Sequence, residues 1–173
     1  NGTKWRIQDT PPGEQDSFLS GVACTSPAAC MAVGSSHGSG TPLTLAERWN
    51  GTTWQTEPIP SPAGAREFAL SGVACPGPST CIAVGGSDQG NATLAERWDG
   101  TAWRVQATPT LPGAGLGAVS CTASSACTAV GGSFTGALAE RWDGSKWSIK
   151  PTPTPAGARG AALGGVPGTA GSA

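Results

Sequence analysis

Apolar and polar residues alternate over short segments of this chain, and clusters of Gly, Pro, Ser and Asp separate the segments. Between residues 70 and 106, apolar segments begin at Leu70, Cys81, Leu94 and Trp103, with turn-forming residues between them. Alternation with a period of two is typical of a β-strand that buries one face. An Asp-Gly pair between two such segments favours a hairpin turn. The pattern therefore predicts four short antiparallel strands, joined as two hairpins.

This set of segments recurs along the chain. The motif Leu-Ala-Glu-Arg-Trp, then Asn or Asp, Gly, Thr or Ser, any residue and Trp occurs at Leu45–Trp54, Leu94–Trp103 and Leu138–Trp147, and its second half also occurs at Asn1–Trp5. The last Trp of the motif lies at positions 5, 54, 103 and 147, at spacings of 49, 49 and 44 residues. A repeat of this length indicates a series of similar supersecondary units.

Four-stranded units of this size are typical of the blades of a β-propeller. The sequence therefore predicts an all-β fold of four-stranded antiparallel blade repeats, in a propeller that is partial or is completed by further repeats or subunits. A β-trefoil, which contains three four-stranded repeats, is the alternative. A trefoil requires neither the fourth strand predicted at the start of this chain nor the first strand predicted near its end, so the propeller is favoured.

The repeats divide the chain into five predicted parts. Residues 1–15 are expected to form the last strand of a preceding blade, and residues 155–173 the incomplete start of a further repeat or a tail. Within that last part, residues 156–166 match residues 63–73 in sequence but are followed by no Cys. This phase suits a segment of a longer array, or subunits that complete each other's blades. The three complete blade repeats are predicted at 16–60, 61–108 and 109–154.

Six Cys residues occur in three local pairs, each with five residues between its members and each at the same phase of the repeat. Such pairs predict disulfides at the tips of hairpins and an oxidising compartment, so the protein is expected to be secreted or extracellular. Zinc is the rival interpretation, but it takes four N or S ligands, and His37 is the single His of the chain. The predicted disulfides are Cys24–Cys30, Cys75–Cys81 and Cys121–Cys127.

Trp and Glu recur at fixed positions of the motif. The two Trp residues of each motif flank a hairpin turn, so they are predicted to form a cross-strand aromatic pair in the core. Exposed Trp residues that stack on sugars are the alternative. Each Glu is expected to be hydrogen-bonded to the backbone or to an Arg of the next unit, rather than to form a ring of carboxylates that binds a cation or a sugar. The predicted structural core contains Trp5, Trp49, Trp54, Trp98, Trp103, Trp142, Trp147, Glu47, Glu96 and Glu140.

Composition and charge limit the classes of function that the sequence suggests. The net charge of −1 gives no electrostatic reason to expect a nucleic-acid partner. No run of 18 apolar residues is present, so no membrane span is predicted. Tyr is absent and the single His lies in a Gly/Ser-rich segment, while the remaining acids have no evident partners. We therefore expect no catalytic residues, no cofactor and no metal site.

The motif Leu45–Trp54, with its preceding Cys-x5-Cys-x-Ala-Val-Gly, resembles a family of secreted tandem-repeat proteins of high-GC actinobacteria. The resemblance covers residues 1–166 and implies disulfide-clipped β-propellers, related in architecture to Kelch and galactose-oxidase central domains. It transfers no catalytic residue. The expected function is a non-catalytic secreted or cell-surface scaffold that binds a glycan, a cell-wall polymer or a protein through the variable loops 34–43, 85–92 and 131–136. The alternatives are a self-assembling surface or filament component, associating through open blade edges, and the propeller domain of a secreted hydrolase.

Overall fold

The computed structural model describes residues 4, 6–11, 16–37, 42–62, 67–87, 92–153 and 161–166. Within these ranges the chain forms twelve β-strands and no helix, and so it contains no helix that could span a membrane. The strands form three antiparallel sheets of four. The first sheet comprises β1 (Ser17–Ser26), β2 (Ala29–His37), β3 (Pro42–Trp49) and β4 (Trp54–Thr56); the second comprises β5 (Phe68–Gly77), β6 (Thr80–Ser87), β7 (Thr93–Trp98) and β8 (Trp103–Gln106); the third comprises β9 (Gly115–Ala123), β10 (Ala126–Ser133), β11 (Gly136–Trp142) and β12 (Trp147–Lys150).

Each sheet follows the order of its strands along the chain, so each is a simple meander built from one repeat. The prediction of an all-β fold made of four-stranded antiparallel repeats is confirmed. Among the described residues, every strand pairs only with strands of its own repeat. This arrangement favours separate blades over a trefoil, in which strands of different repeats would pair.

The two incomplete copies of the repeat contribute little β-structure. Residues 6–11, predicted as part of a fourth strand, form no strand, since no described strand lies beside them as a ladder partner. Trp5 lies outside the described residues. Near the other end, Ala162 forms an isolated antiparallel bridge with Gly132, and the Leu163 N–H donates to the Gly131 carbonyl at 2.9 Å.

The Asn-Gly and Asp-Gly turns form as predicted. In the second sheet, the backbone N–H groups of Thr101 and Ala102 both donate to Asp99 Oδ1 at 2.9 Å, and Gly100 has a φ of 97°. The Thr101 hydroxyl, these backbone N–H groups and the Arg104 guanidinium together lower the pKa of Asp99. The same turn recurs at Asn50-Gly51 and Asp143-Gly144. These side-chain bonds fix the register that places the two Trp residues opposite each other.

The sheets pack on one another face to face. We call the side that carries the Leu, Glu and first Trp of the motif the front face of a sheet, and the opposite side its back face. The front face of the second sheet packs on the back face of the first, and the front face of the third on the back face of the second. The first of these cores includes Leu94, Trp98 and Trp103 against Met31, Val33 and Ala46; the other includes Leu138, Trp142 and Trp147 against Ile82, Val84 and Ala95.

Two glycines of the second sheet lie where the neighbouring backbone leaves little room for a side chain. A Cβ added at Gly72 would lie 3.2 Å from the Cα of Ala118, because the first strands of successive sheets nearly touch there. A Cβ added at Gly85 would collide with the Ala69 carbonyl of the neighbouring strand, at a point where the register shifts by one residue. The Gly of the Cys-x-Ala-Val-Gly motif is therefore required by the bulge in the first strand.

Candidate interaction surface

The front face of the first sheet is partly exposed to solvent, whereas the equivalent faces of the other two sheets are buried. On this face Leu45 and Glu47 of β3 are buried, but residues of β1 are exposed. Leu19 is 43% exposed, while Leu70 and Leu116, at the same repeat position, are 0% and 2% exposed. Val22 is 62% exposed, and its third-repeat equivalent Val119 is 9% exposed. The difference arises because no described sheet covers the first one from this side.

A groove runs along this front face. It is a cavity of about 370 Å³, lined by Leu19, Val22, Ala32 and Trp54 of the sheet and by Gln8 and Thr10 of the preceding segment. In the second sheet, the equivalents of the lining residues Leu19, Ala32 and Trp54 belong to the core that packs on the first sheet. The groove is thus the unfilled counterpart of a core that is filled elsewhere in the same chain.

The Trp residues form the predicted cross-strand pairs. Ring centroids are 5.6 Å apart for Trp49 and Trp54, 5.9 Å for Trp98 and Trp103, and 5.8 Å for Trp142 and Trp147. The pairs of the second and third sheets are buried, but the pair of the first sheet is only half-buried. Sugar stacking on Trp, the alternative role, therefore has accessible rings only in the first sheet among the described residues.

Two Trp residues also link successive repeats by hydrogen bonds. Trp147 Nε1 donates to Gln106 Oε1 at 2.9 Å, and Trp54 Nε1 donates to Gln8 Oε1 at 3.1 Å. Both acceptors lie three residues after the last Trp of the preceding motif. A Gln that recurs at this position of the repeat is the sequence signal for the link.

The middle repeat breaks this link. Its Trp103 Nε1 is buried with no hydrogen-bond partner. The repeat has Glu57 at the position that Gln8 and Gln106 occupy in the two linked copies. Glu57 Oε1 instead accepts from Arg48 Nε at 2.6 Å. The ion pair within the first sheet therefore takes the place of the hydrogen bond between sheets.

The Glu residues of the motif are buried without the partners expected for them. Both carboxylate oxygens of Glu96 and Oε2 of Glu47 lack a hydrogen-bond partner. The Glu140 oxygens also make no hydrogen bond of good geometry, because the nearby Thr93 hydroxyl donates to the Pro109 carbonyl at 3.3 Å. Desolvation by burial raises the pKa of Glu96 to about 8 and that of Glu47 above its usual value. It raises the pKa of Glu140 to about 7, with the Thr93 hydroxyl acting in the opposite direction. The prediction that each Glu is hydrogen-bonded to the backbone or to an Arg is therefore wrong for Glu96 and Glu140.

The reason lies in the alternation of the third strand. Glu points to the front face of its sheet and the adjacent Arg to the back face, so neighbours in sequence do not meet. Arg48, on the back face that Glu96 packs against, already pairs with Glu57, and the Nε of Arg97 on the next back face is buried without a partner. The sequence shows which residues are charged, but it does not show which carboxylate each Arg pairs with.

These carboxylates also do not converge. Glu96 lies between the first and second sheets and Glu140 between the second and third, because each belongs to a different front face. Among the described residues, no three His, Cys, Asp or Glu side chains are grouped in a way that would hold a metal ion. The arrangement therefore gives no support to the alternative of a carboxylate ring that binds a cation or a sugar.

The three disulfides form between the predicted partners, Cys24–Cys30, Cys75–Cys81 and Cys121–Cys127. The first two disulfides lie at a cleft of about 260 Å³ between the hairpin ends of the first and second sheets, which Arg48, Trp49, Asn50 and Pro78 also line. Most polar groups here are already bonded. Asn50 accepts from its own turn, and Trp49 Nε1 donates to the Pro27 carbonyl at 3.2 Å. The cleft thus offers few free groups to orient a ligand.

His37, the single His, is held by structural contacts. Its Nδ1 lies 3.1 Å from the Asp16 carbonyl, and its ring meets Phe18 edge to face with centroids 5.9 Å apart. No contact places it beside a Ser hydroxyl and an acid in the described part of the chain. A role for His37 in nucleophilic catalysis therefore has no geometric support.

Of the variable loops, residues 131–136 are fully described, while 38–41 of the first loop and 88–91 of the second lie outside the described residues. The tip of the described loop presents Phe134, which is 77% exposed. Its ring lies on the backbone of Gly113, where an added Cβ would collide with it. The Ser133 hydroxyl bonds the Gly136 carbonyl at 3.1 Å, so the loop is closed by its own residues.

No model of a known protein family matches the sequence, and a comparison with curated proteins finds no similar protein. The family resemblance stated above therefore remains a prediction.

Proposed function

We propose that this chain is a non-catalytic extracellular scaffold of β-propeller blades that binds a partner, a glycan or cell-wall polymer or a protein, through its loops. The front-to-back packing of three successive sheets supports the propeller. Residues 161–166 support it too, since they lie on the third sheet where the start of β9 lies on the second. The three disulfides are consistent with an oxidising, extracellular location. Secretion by an actinobacterium is inferred from the family resemblance.

Phe134 is the observation that carries the recognition proposal. The Phe134 ring is largely exposed at the tip of its loop, and its contact with the Gly113 backbone holds it in place. Aromatic rings held in this way stack on the apolar faces of sugars or fill pockets of protein partners. The loop that contains Phe134 is also one of those that differ among the repeats, which is where recognition residues concentrate on a repeated scaffold.

Co-sedimentation with insoluble cell-wall polysaccharide, followed by titration with soluble fragments, tests this proposal. Phe134→Ala should weaken binding by roughly tenfold or more, as for an aromatic anchor at an interface. Ile149→Ala is the matched control, because Ile149 is also exposed but lies on β12 away from the loop. Equal binding by the two variants would show that Phe134 is not the anchor, and binding of no polymer by the wild type would leave only the protein partner.

A self-assembling component is the second candidate, and the exposure of Leu19 and Val22 on the front face of the first sheet favours it. The hydrolase alternative has weaker support. Its acids should gather in one pocket, whereas Glu96 and Glu140 occupy equivalent positions in separate layers.

A further inference from the structure

We propose that the disulfide Cys24–Cys30 is a thiol-exchange site, at which a small thiol in solution forms a mixed disulfide with Cys24 and releases the Cys30 thiol. This inference goes beyond the proposed recognition function, because it concerns a covalent reaction at the hairpin tip of the first sheet and not the loop that contains Phe134. All six Cys residues of the chain are paired in disulfides. The attacking thiol must therefore come from another molecule.

The three disulfides occupy equivalent positions of the repeat, but two of them are protected by the packing of the sheets. Cys81 is 4% exposed and Cys127 is 1% exposed, and each belongs to a core between two sheets. Their partners, Cys75 and Cys121, pack against the same cores. Exchange requires a thiolate to reach a sulfur of the disulfide. These two disulfides can therefore react only when the sheets separate locally.

The disulfide of the first sheet lacks this protection. Cys24 is exposed and Cys30 is half-buried, and neither residue belongs to a core between sheets. Cys30 is the cross-strand partner of Trp49, so it lies on the front face, which no described sheet covers. Residues 6–11 line a groove with Trp54 on this face, but they leave Cys24 exposed. Exposed disulfides are the ones that thiols open most readily.

The exchange is balanced without an added oxidant or reductant. The thiolate attacks Cys24 Sγ, because Cys24 is the more exposed residue of the pair. The bond between the two sulfurs breaks, and Cys30 Sγ leaves as a thiolate that takes a proton from water. The reverse attack by Cys30 is intramolecular, and the effective concentration over a short flexible linker is in the millimolar range. The modification is therefore reversible, and its extent follows the concentration of free thiol.

Opening this disulfide would also loosen a contact of Trp49. Trp49 Nε1 donates to the Pro27 carbonyl at 3.2 Å, and Pro27 lies in the hairpin turn that the disulfide closes. The third sheet has the same contact, from Trp142 Nε1 to the Ser124 carbonyl at 3.2 Å, but there the ring is buried. Exchange at the first hairpin tip therefore changes how the half-buried Trp49 ring is held.

Reaction of the folded chain with about 10 mM 2-mercaptoethanol, above the millimolar effective concentration of the Cys30 thiol, tests the inference. Acid quenching, labelling with N-ethylmaleimide and peptide mapping by mass spectrometry give the rate at which each disulfide opens. Cys24–Cys30 should open about tenfold faster or more than Cys75–Cys81 and Cys121–Cys127, because these two need a local opening first. The first product should carry mercaptoethanol on Cys24 and maleimide on Cys30.

Two controls separate the effect of packing from that of local sequence. In denaturing urea the three disulfides should open at similar rates, since the sheets no longer protect two of them. Replacing both Cys24 and Cys30 by Ala should remove the fast reaction, whereas replacing both Cys121 and Cys127 by Ala should preserve it, with far-UV circular dichroism to confirm folding. If a variant does not fold, the map of the wild type decides.

Three results would overturn the inference. The first is that Cys24–Cys30 in the folded chain does not react, or reacts no faster than the other two disulfides. The second is that its advantage in rate persists unchanged in urea, because local sequence would then explain it. The third is that the first mercaptoethanol adduct lies on Cys30, which would exclude Cys24 as the sulfur that is attacked.

Discussion

Replacing Leu70 by Ala removes a side chain that is fully buried between the first and second sheets. Such a change costs about 2–5 kcal/mol, because apolar contacts are lost and a cavity remains. Leu19 has the same repeat position and strand neighbours, yet it is 43% exposed. Its replacement should cost only about 1 kcal/mol, since a half-exposed Leu gains about half of the free energy of full burial. Because both substitutions replace Leu by Ala, the difference between their losses in free energy of unfolding reports how far each front face is covered.

Urea unfolding followed by circular dichroism, at protein concentrations low enough to keep the chain monomeric and with the disulfides intact, gives both free energies. Leu116→Ala is an internal reference, because Leu116 is 2% exposed in the third sheet and should behave like Leu70. Equal losses of stability at positions 19 and 70 would refute the packing described here, since they would mean that the front face of the first sheet is covered within the monomer.

Three further changes have defined outcomes. Burial raises the pKa of Glu96 from its usual 4.5 to about 8, so the folded chain holds a proton that the unfolded chain releases; thermal stability should therefore fall as pH rises from about 4.5 to 8, by about 2–4 kcal/mol. Glu140, with a pKa of about 7, accounts for none of the loss of stability above pH 7. Glu96→Gln should therefore abolish the loss between pH 7 and 8. A melting series with an unchanged pH profile would contradict the raised pKa of Glu96. Glu57→Gln should stabilise the chain by about 1 kcal/mol in urea titrations by giving the buried Trp103 Nε1 an acceptor, and a loss of stability would count against the link between sheets. Glu67→Gly should raise the melting temperature by a few degrees, because Glu67 has a φ of 63° where the third repeat has Gly; a lowered melting temperature would exclude backbone strain at this site.

Much of the fold could be predicted from local sequence signals. The Cys pairs indicate the hairpin tips, and the Asp-Gly and Asn-Gly pairs indicate the turns, because both effects act over only a few residues. Alternation on the third strand then places Leu94, Glu96 and Trp98 on one face, and the structure buries all three.

The candidate site could not be predicted in the same way, because it depends on what lies against each repeat. Leu19 and Leu70 follow the same repeat pattern but differ in exposure, since a sheet covers only one of them. Likewise, Arg48 and Trp103 are both potential donors to Glu57. Glu57 pairs with Arg48, and Trp103 Nε1 is left without a partner. A repeat pattern specifies equivalent positions, whereas burial and pairing are properties of neighbours.

Hydroxyl-radical labelling with mass spectrometry, on the dilute monomer, measures the central claim directly, because labelling follows the exposure of individual side chains. The packing of three sheets front to back predicts strong oxidation of Leu19 and Val22 and protection of their equivalents Leu70, Leu116 and Val119. Similar oxidation at equivalent positions in all three repeats would contradict it.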